Sequence, residues 1–199
     1  MTLTGVLGLP VAHSRSPAMH DRAFRELGLD WRYLRLPVPR ERFRETARAL
    51  PGSGYRGANV TVPHKVAALA VADQVGEAAQ AIGAANTLTF EAEAIVADNT
   101  DAGGLLDALG TSPEGVRALV LGAGGAGRAA AWALRTAGAA EVSIWNRTPD
   151  RAAEVARDLG VRHAARPEAS ELLVNATSVA STGRSIEWLR SPHVPGLNT

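Results

Sequence analysis

A single lysine, Lys65, stands among 20 arginines in this 199-residue chain. Arginine does not give up its proton in proteins, whereas lysine can once its surroundings destabilise the ammonium. Lys65 is therefore the candidate acid/base group, and its neighbours support the choice: Asn59-Val60-Thr61-Val62-Pro63-His64-Lys65. Residues 55–62 read as a strand and Pro63 suits the first position of a helix. The pattern predicts a helix over residues 65–75 with Lys65 in its first turn, where the macrodipole disfavours a cation. The competing explanation is coding bias that left one lysine on a solvated face.

A second group of residues points to a nucleotide. Gly122-Ala123-Gly124-Gly125-Ala126-Gly127 follows an apolar strand pattern at 116–121 and opens an alanine-rich helix over 126–137. In that setting G-x-G-x-x-G is a dinucleotide loop, whose glycines permit a tight turn and close approach of backbone to a pyrophosphate on the helix N-terminus. A turn required only for helix–sheet packing is the alternative. NAD binders place a carboxylate roughly 20 residues past the loop for the ribose hydroxyl. This chain has Asn146-Arg147-Thr148 and then Arg151 there. Two guanidiniums and a hydroxyl without an acid suit a 2′-phosphate, so NADP is the expected cofactor.

Four polar stretches fall at predicted strand ends or helix starts: His13-Ser14-Arg15-Ser16-Pro17, Asn59-Val60-Thr61, Asn86-Thr87 and Asp98-Asn99-Thr100-Asp101. Ligands bind at such ends in open α/β sheets. Each stretch also has a local reading, with Ser16 as an N-cap, Asn86 as turn chemistry and Thr100 or Asp101 capping a helix. Together they supply hydroxyls, amides, an acid and the lysine, without a metal-ligand cluster. That inventory suits a small polyhydroxylated substrate. His13, His20 and His64 lack metal-ligand spacing and read as structural.

The elements that must position these groups alternate between strand and helix. The first half reads as a strand at 5–9, a helix from Ser16-Pro17, a strand at 31–36, a charged helix at 40–50, the 55–62 strand, a short helix at 77–82, a hairpin over 86–90 and 94–97, and a helix from Thr100-Asp101 to 109. After a linker-like stretch at 111–115 comes a βαβ series. Its strands lie at 116–121, 141–145, 161–165 and 172–175 and its helices at 126–137 and 150–159, so a parallel sheet is expected. Residues 179–199 read as a tail. Net charge is +1 with both signs interspersed, which does not indicate nucleic acid. There are no cysteines, so disulfide and thiolate chemistry are excluded and the cytosol is compatible. Residues 1–4 run straight into a strand, so no signal peptide is expected, and no apolar run is long enough to span a membrane.

The motifs AHSRSPAMH, GANVTVPHK, GAANT, DNTDAGG, LGAGGAGRAA, WNRTPDRA and VNATS occur in that order from residue 5 to about 178. In order and spacing they resemble the shikimate dehydrogenases. The resemblance implies an α/β fold: a substrate-binding and catalytic domain over 1–102, an incomplete Rossmann-type NADP-binding domain over 103–178, and a divergent or truncated tail at 179–199. It implies NADP-dependent reduction of 3-dehydroshikimate to shikimate in aromatic amino acid biosynthesis, in the cytoplasm, and leaves room for a homodimer. Lys65 and Asp101 would be the catalytic acid/base pair. Ser14 and Ser16 would hold the substrate carboxylate, and Asn59, Thr61, Asn86 and Asp101 the ring hydroxyls. Gly122, Ala123, Gly124, Gly125 and Ala126 would take the pyrophosphate. Asn146, Arg147, Thr148 and Arg151 would take the adenosine phosphate, with Thr177 and Ser178 near the nicotinamide end and Glu77 close to the cofactor.

Family members continue past Asn-Ala-Thr-Ser with further strands and a glycine-rich segment whose helix returns to the first domain. That segment brings a tyrosine and a glutamine to the substrate. No such pattern is recognisable after about Ser178, so the expectation is a substrate site lacking a wall, a sheet with an exposed edge and low turnover. Alternatives within this reading are a quinate or aminoshikimate dehydrogenase and a catalytically incomplete NADP-binding remnant.

Overall fold

The first strand, β1 (Thr2–Gly8), buries its last four residues because it runs through the middle of a sheet and is flanked on both sides. A computed structural model describes residues 1–91 and 94–177. Two units emerge, one spanning Met1–Thr100 and one beginning at Asp101. In the first, β1 is joined by β2 (Trp31–Pro37), β3 (Tyr55–Val60), β4 (Gln74–Val75), β5 (Thr87–Phe90) and β6 (Ile95–Asp98), in the order β2-β1-β3-β5-β6-β4. The β1 pairs with β2 and β3 are parallel, whereas β5 runs antiparallel to both β3 and β6. Helices α1 (Ser16–Glu26), α2 (Phe43–Ala49) and α3 (Glu77–Ile82) connect the strands. The register sets Asn59 beside Thr87 and Thr87 beside Asp98, so three polar residues lie in one row across the sheet.

Leu7, Phe43, Val60, Leu88 and Ile95 belong to the main core of this unit. A smaller cluster of Val6, Val11 and Tyr33 packs with Phe24. Inside the main core His64 is almost wholly buried. Its ring stacks on Phe43 at 4.4 Å and 9°, and Nε2 lies 2.7 Å from the Val38 carbonyl. The Nε2–H tautomer donates there, which satisfies a polar group that would otherwise be costly to bury. This histidine is structural, as its lack of metal-ligand spacing implies.

The helix expected over residues 65–75 does not form. Residues 61–68 make successive turns, with the His64 N–H donating to Thr61 O and the Ala68 N–H to His64 O. A 3₁₀ turn at Leu69–Val71 follows, and the chain then enters β4. The Lys65 carbonyl, which an α-helix would offer to residue 69, instead accepts from the Ala85 N–H at 2.8 Å. Docking of this segment against the α3–β5 connection outweighs its helix propensity. Lys65 thus sits in a turn, and there is no helix macrodipole to act on it. Two smaller differences are local. Ser16 is the first residue of α1 rather than its N-cap, and it is the Ser14 hydroxyl that accepts from the Ser16 N–H at 3.2 Å. The strand from Tyr55 ends at Val60.

The second unit carries α4 (Asp101–Leu109), β7 (Arg117–Leu121), α5 (Gly125–Thr136), β8 (Glu141–Trp145), α6 (Pro149–Leu159), β9 (Arg162–His163) and β10 (Leu172–Asn175). Its four strands are ordered β10-β7-β8-β9 and every pair is parallel. This is the Rossmann-type arrangement that the βαβ series implies. The strand expected over 161–165 shrinks to two residues. Helices α5 and α6 bury alanine-rich faces against the sheet, with Ala130, Ala131, Leu134, Val155 and Leu159 in the core. Among the described residues no helix is long and apolar enough to cross a membrane. Ser178 and the 179–199 tail lie outside the described residues.

The His64–Phe43 stack yields two predictions. Phe43→Ala should cost about 3–5 kcal/mol of stability, since it empties a fully enclosed site and strips the histidine of its ring partner; urea denaturation measures this. Burial pushes the His64 pKa below its ordinary 6.5, opposed by the Val38 hydrogen bond and reinforced by Arg40. Burial also lowers that of His20, against the pull of Asp21. The unfolded chain then binds more protons than the folded one below pH 6.5, so stability is full above that pH and declines as the pH falls through the depressed folded values. His64→Gln should flatten the decline in thermal midpoint between pH 6.5 and about 5, a window above the ordinary carboxylate range.

Candidate functional site

In the first unit Asn59, Asn86, Thr87 and Thr100 come together at one end of the sheet. Asn59 lies near the end of β3 and Asn86 precedes β5, and their side chains form one network. The Asn59 NH₂ group lies 3.4 Å from the Asn86 carbonyl and 3.3 Å from Thr87 Oγ1. Thr87 Oγ1 donates to Asn86 Oδ1 at 3.0 Å. Asn86 then reaches across to Thr100: its Nδ2 donates to Thr100 Oγ1 at 2.9 Å and its Oδ1 accepts from the Thr100 N–H at 3.0 Å. Asn99, by contrast, is buried and donates to the Ala84 carbonyl at 2.8 Å, which anchors the loop rather than offering a ligand. Asp101 follows directly as the first residue of α4, where a carboxylate complements the helix N-terminus.

The loop after β1 brings in Ser14 and Ser16. Its carbonyl at Ser14 accepts from both Nε and Nη2 of Arg35, at 3.0 and 2.6 Å. Thr61 follows β3, and its N–H donates to the Leu7 carbonyl. A side chain at Gly8 would place Cβ 2.3 Å from Thr61 Cγ2, so Thr61 owes its position to the bare backbone of β1. Lys65 is half-buried, and its carbonyl is bonded to Ala85, the neighbour of Asn86. Glu77 is exposed at the start of α3 and is not part of the polar row.

In the second unit the glycine loop is held by its surroundings. Gly122 has φ +106°, and a Cβ there would lie 2.9 Å from the Ala176 carbonyl carbon and oxygen. A Cβ on Gly127 would lie 1.8 Å from the Gly122 carbonyl oxygen, so only glycine allows α5 to meet the strand end this closely. At Gly124 the space is open, and no side chain caps α5 there. The N–H groups that open this helix are therefore left without a capping side chain, the arrangement that receives anions. Asn146 braces the loop, accepting from the Ala123 N–H at 3.3 Å while its NH₂ donates to the Thr148 carbonyl at 3.0 Å. Arg147, Thr148 and Arg151 are exposed beside it, and among the described residues neither guanidinium enters an ion pair. Thr177 lies past β10, its N–H and hydroxyl both donating to Asn175 Oδ1.

Three residues that the sequence pattern does not single out hold these groups in place. Tyr33 donates to Asn59 Oδ1, Arg35 clamps the Ser14 carbonyl and Asn175 braces the turn at Thr177. For Tyr33 a signal exists in the alternation of β2, whose third residue is the inward-facing one. The other two bonds leave no trace in spacing.

Comparison with known proteins finds matches along both units. The family model described as the shikimate dehydrogenase substrate binding domain matches residues 6–88, and that described as shikimate / quinate 5-dehydrogenase matches residues 107–187. The NADP(+) shikimate dehydrogenase of Acidiphilium cryptum is 46% identical over 205 residues, 98% of this chain and 74% of that protein. The NADP(+) shikimate dehydrogenase of Methanothermobacter thermautotrophicus is 46% identical, over 79% of this chain and 56% of its own length. Among solved structures, shikimate 5-dehydrogenase from Thermus thermophilus in complex with NADP(H) and shikimate superposes with a TM-score of 0.79 at 47% identity, over 89% of this chain and 69% of that one.

Proposed function

The chain belongs to the shikimate dehydrogenase family, and we propose that it reversibly reduces 3-dehydroshikimate to shikimate with NADPH, as a cytosolic step of aromatic amino acid biosynthesis. The observation that carries this reading is that one relative, 46% identical, aligns across both units and so across both the polar cluster and the glycine loop. The residues present fit the dinucleotide: an uncapped helix start with open space at Gly124, a close-packed loop at Gly122 and Gly127, and two exposed arginines. In this reading residues 1–102 hold the substrate and residues 103–178 the cofactor.

Ser14 and Ser16 take the substrate carboxylate, since a hydroxyl on a loop clamped by Arg35 and another at the start of α1 can donate to an anion without a net charge of their own. Asn59, Thr61, Asn86 and Asp101 take the ring hydroxyls, with amide, hydroxyl and carboxylate groups as the partners. NADPH supplies the hydride when bound. Its pyrophosphate is assigned to the backbone of Gly122, Ala123, Gly124, Gly125 and Ala126, and its 2′-phosphate to Arg147, Thr148 and Arg151, with Asn146 shaping the loop. Glu77 and Thr177 are assigned to the cofactor's surroundings. As the substrate carbonyl is reduced, its oxygen must gain a proton. Lys65 gives that proton and takes it back in the reverse direction, with Asp101 as the second member of the pair.

Lys65→Ala should abolish NADPH formation from NADP and shikimate while leaving NADP affinity nearly unchanged. Lys65→Arg should be almost as damaging, because charge is kept and proton donation is lost. Steady-state absorbance assays decide this, and a substantial kcat in the arginine variant would remove Lys65 from the acid/base role. The matching model pairs shikimate with quinate, so the same assay is run with both.

NADP should be preferred over NAD by at least tenfold in kcat/KM, about 1.4 kcal/mol. Replacing Arg147 and Arg151 together by Ala should erase the preference, because each guanidinium matches phosphate geometry and neither is committed to an internal ion pair among the described residues. Equal use of both cofactors by the unaltered chain would contradict the assignment.

A further inference from the structure

Tyr33 lies in β2, two strands away from Asn59 in β3, and 26 residues earlier in the chain. Its hydroxyl nevertheless donates to Asn59 Oδ1 at 2.6 Å, the shortest of the bonds that the Asn59 side chain makes among the described residues. The Asn59 NH₂ group is held more loosely, by contacts of 3.3 and 3.4 Å. An amide rotates about a broad, nearly two-fold terminal torsion. The Asn86 carbonyl can only accept, so the nitrogen end must face it, but two long contacts hold that end loosely; the phenol is the short contact that fixes the torsion of the amide.

The phenol itself is rigid. Tyr33 is 4% exposed. The His20 ring stacks on it at 4.2 Å and 3°, and Phe24 backs both His20 and Trp31. The Tyr33 N–H donates to Asp21 Oδ1 at 2.9 Å, tying β2 to the same helix that carries His20. Burial also pushes the Tyr33 hydroxyl pKa well above its ordinary value, which keeps it a protonated donor.

We propose that Tyr33 is a positioning residue: its hydroxyl, held by the His20 stack, pins the Asn59 amide so that the NH₂ group faces the Asn86–Thr87 row with a single orientation. For catalysis this rests on the reading of Asn59 as a ligand of a substrate hydroxyl. Without the phenol hydroxyl, the amide is held only by the two long contacts on its nitrogen and samples a wider range of its torsion, which moves the NH₂ group out of line with the row.

The test is Tyr33→Phe in the full chain, which keeps the ring, the stack and the packing. In the unliganded protein the side-chain NH₂ resonances of Asn59, identified by their loss in Asn59→Ala, should shift or broaden while backbone resonances of the second unit stay put. Shikimate affinity by calorimetry should fall about tenfold, or about 1.4 kcal/mol, with NADP affinity unchanged. In the Asn59→Ala background, Tyr33→Phe should have no further effect on shikimate affinity. Unmoved Asn59 resonances would overturn the positioning, as would an equal loss of affinity in both backgrounds, which would assign Tyr33 a general packing role. Resonances that move in a chain that does not bind shikimate would leave the pinning standing and overturn the substrate assignment of Asn59. His20→Gln, which removes the stack and keeps the hydroxyl, should produce a smaller change of the same kind; no change at all would remove the stack from the proposal.

Discussion

Asn86 is the residue through which the first unit holds its functional end together. Its N–H donates to the Asp98 carbonyl at 3.0 Å and its carbonyl accepts from the Val60 N–H at 2.7 Å, so its backbone joins the ends of β3 and β6. Its side chain then binds Thr100 from both ends of the amide. Segments distant in sequence meet on one side chain and its peptide groups. Each such bond is worth only about 1 kcal/mol net, yet removing one partner strands the others without a substitute, and that asymmetry makes the junction demanding. The ends of β3 and β6, which flank the row Asn59–Thr87–Asp98, are joined through it.

The second unit reaches a comparable end by the opposite means. Its loop is defined by what is missing, since a single methyl at Gly127 or Gly122 would collide with backbone that cannot move aside. Backbone N–H groups can serve an anion only if the chain comes close, and closeness here is obtained by deleting side chains. Asn146 and Asn175 act as braces on either side of that loop. Asparagine amides bridge irregular backbone in both units, where no ladder of sheet or helix bonds can.

Much of the second unit is legible in the amino-acid pattern. The bounds of β8 follow directly from it, as do those of α3 in the first unit, and the parallel order of the second sheet follows from strand–helix alternation. The glycine loop is equally plain, because its chemistry is confined to six consecutive residues. Residues 65–75 mislead, because alanines and valines there suit an amphipathic helix locally, while Ala68 and Val71 are claimed by the core and the Lys65 carbonyl by Ala85. Ser16 misleads as a cap because Ser-Pro is a common helix opening, but the Ser14 hydroxyl two residues earlier takes that bond.

The sequence by itself determined the types of most elements, the α/β class, the dinucleotide loop and which polar residues were available for chemistry. These properties reside in short windows, where periodicity, glycine placement and cap chemistry act between near neighbours. Only the tertiary structure decided the mixed strand order of the first sheet, the register that aligns Asn59, Thr87 and Asp98, and the grip of Tyr33 on Asn59 and of Arg35 on Ser14. The two grips are hydrogen bonds between residues 26 and 21 positions apart. A bond of that kind constrains neither partner's neighbours along the chain, so it becomes visible only when packing of the core has brought the strands side by side.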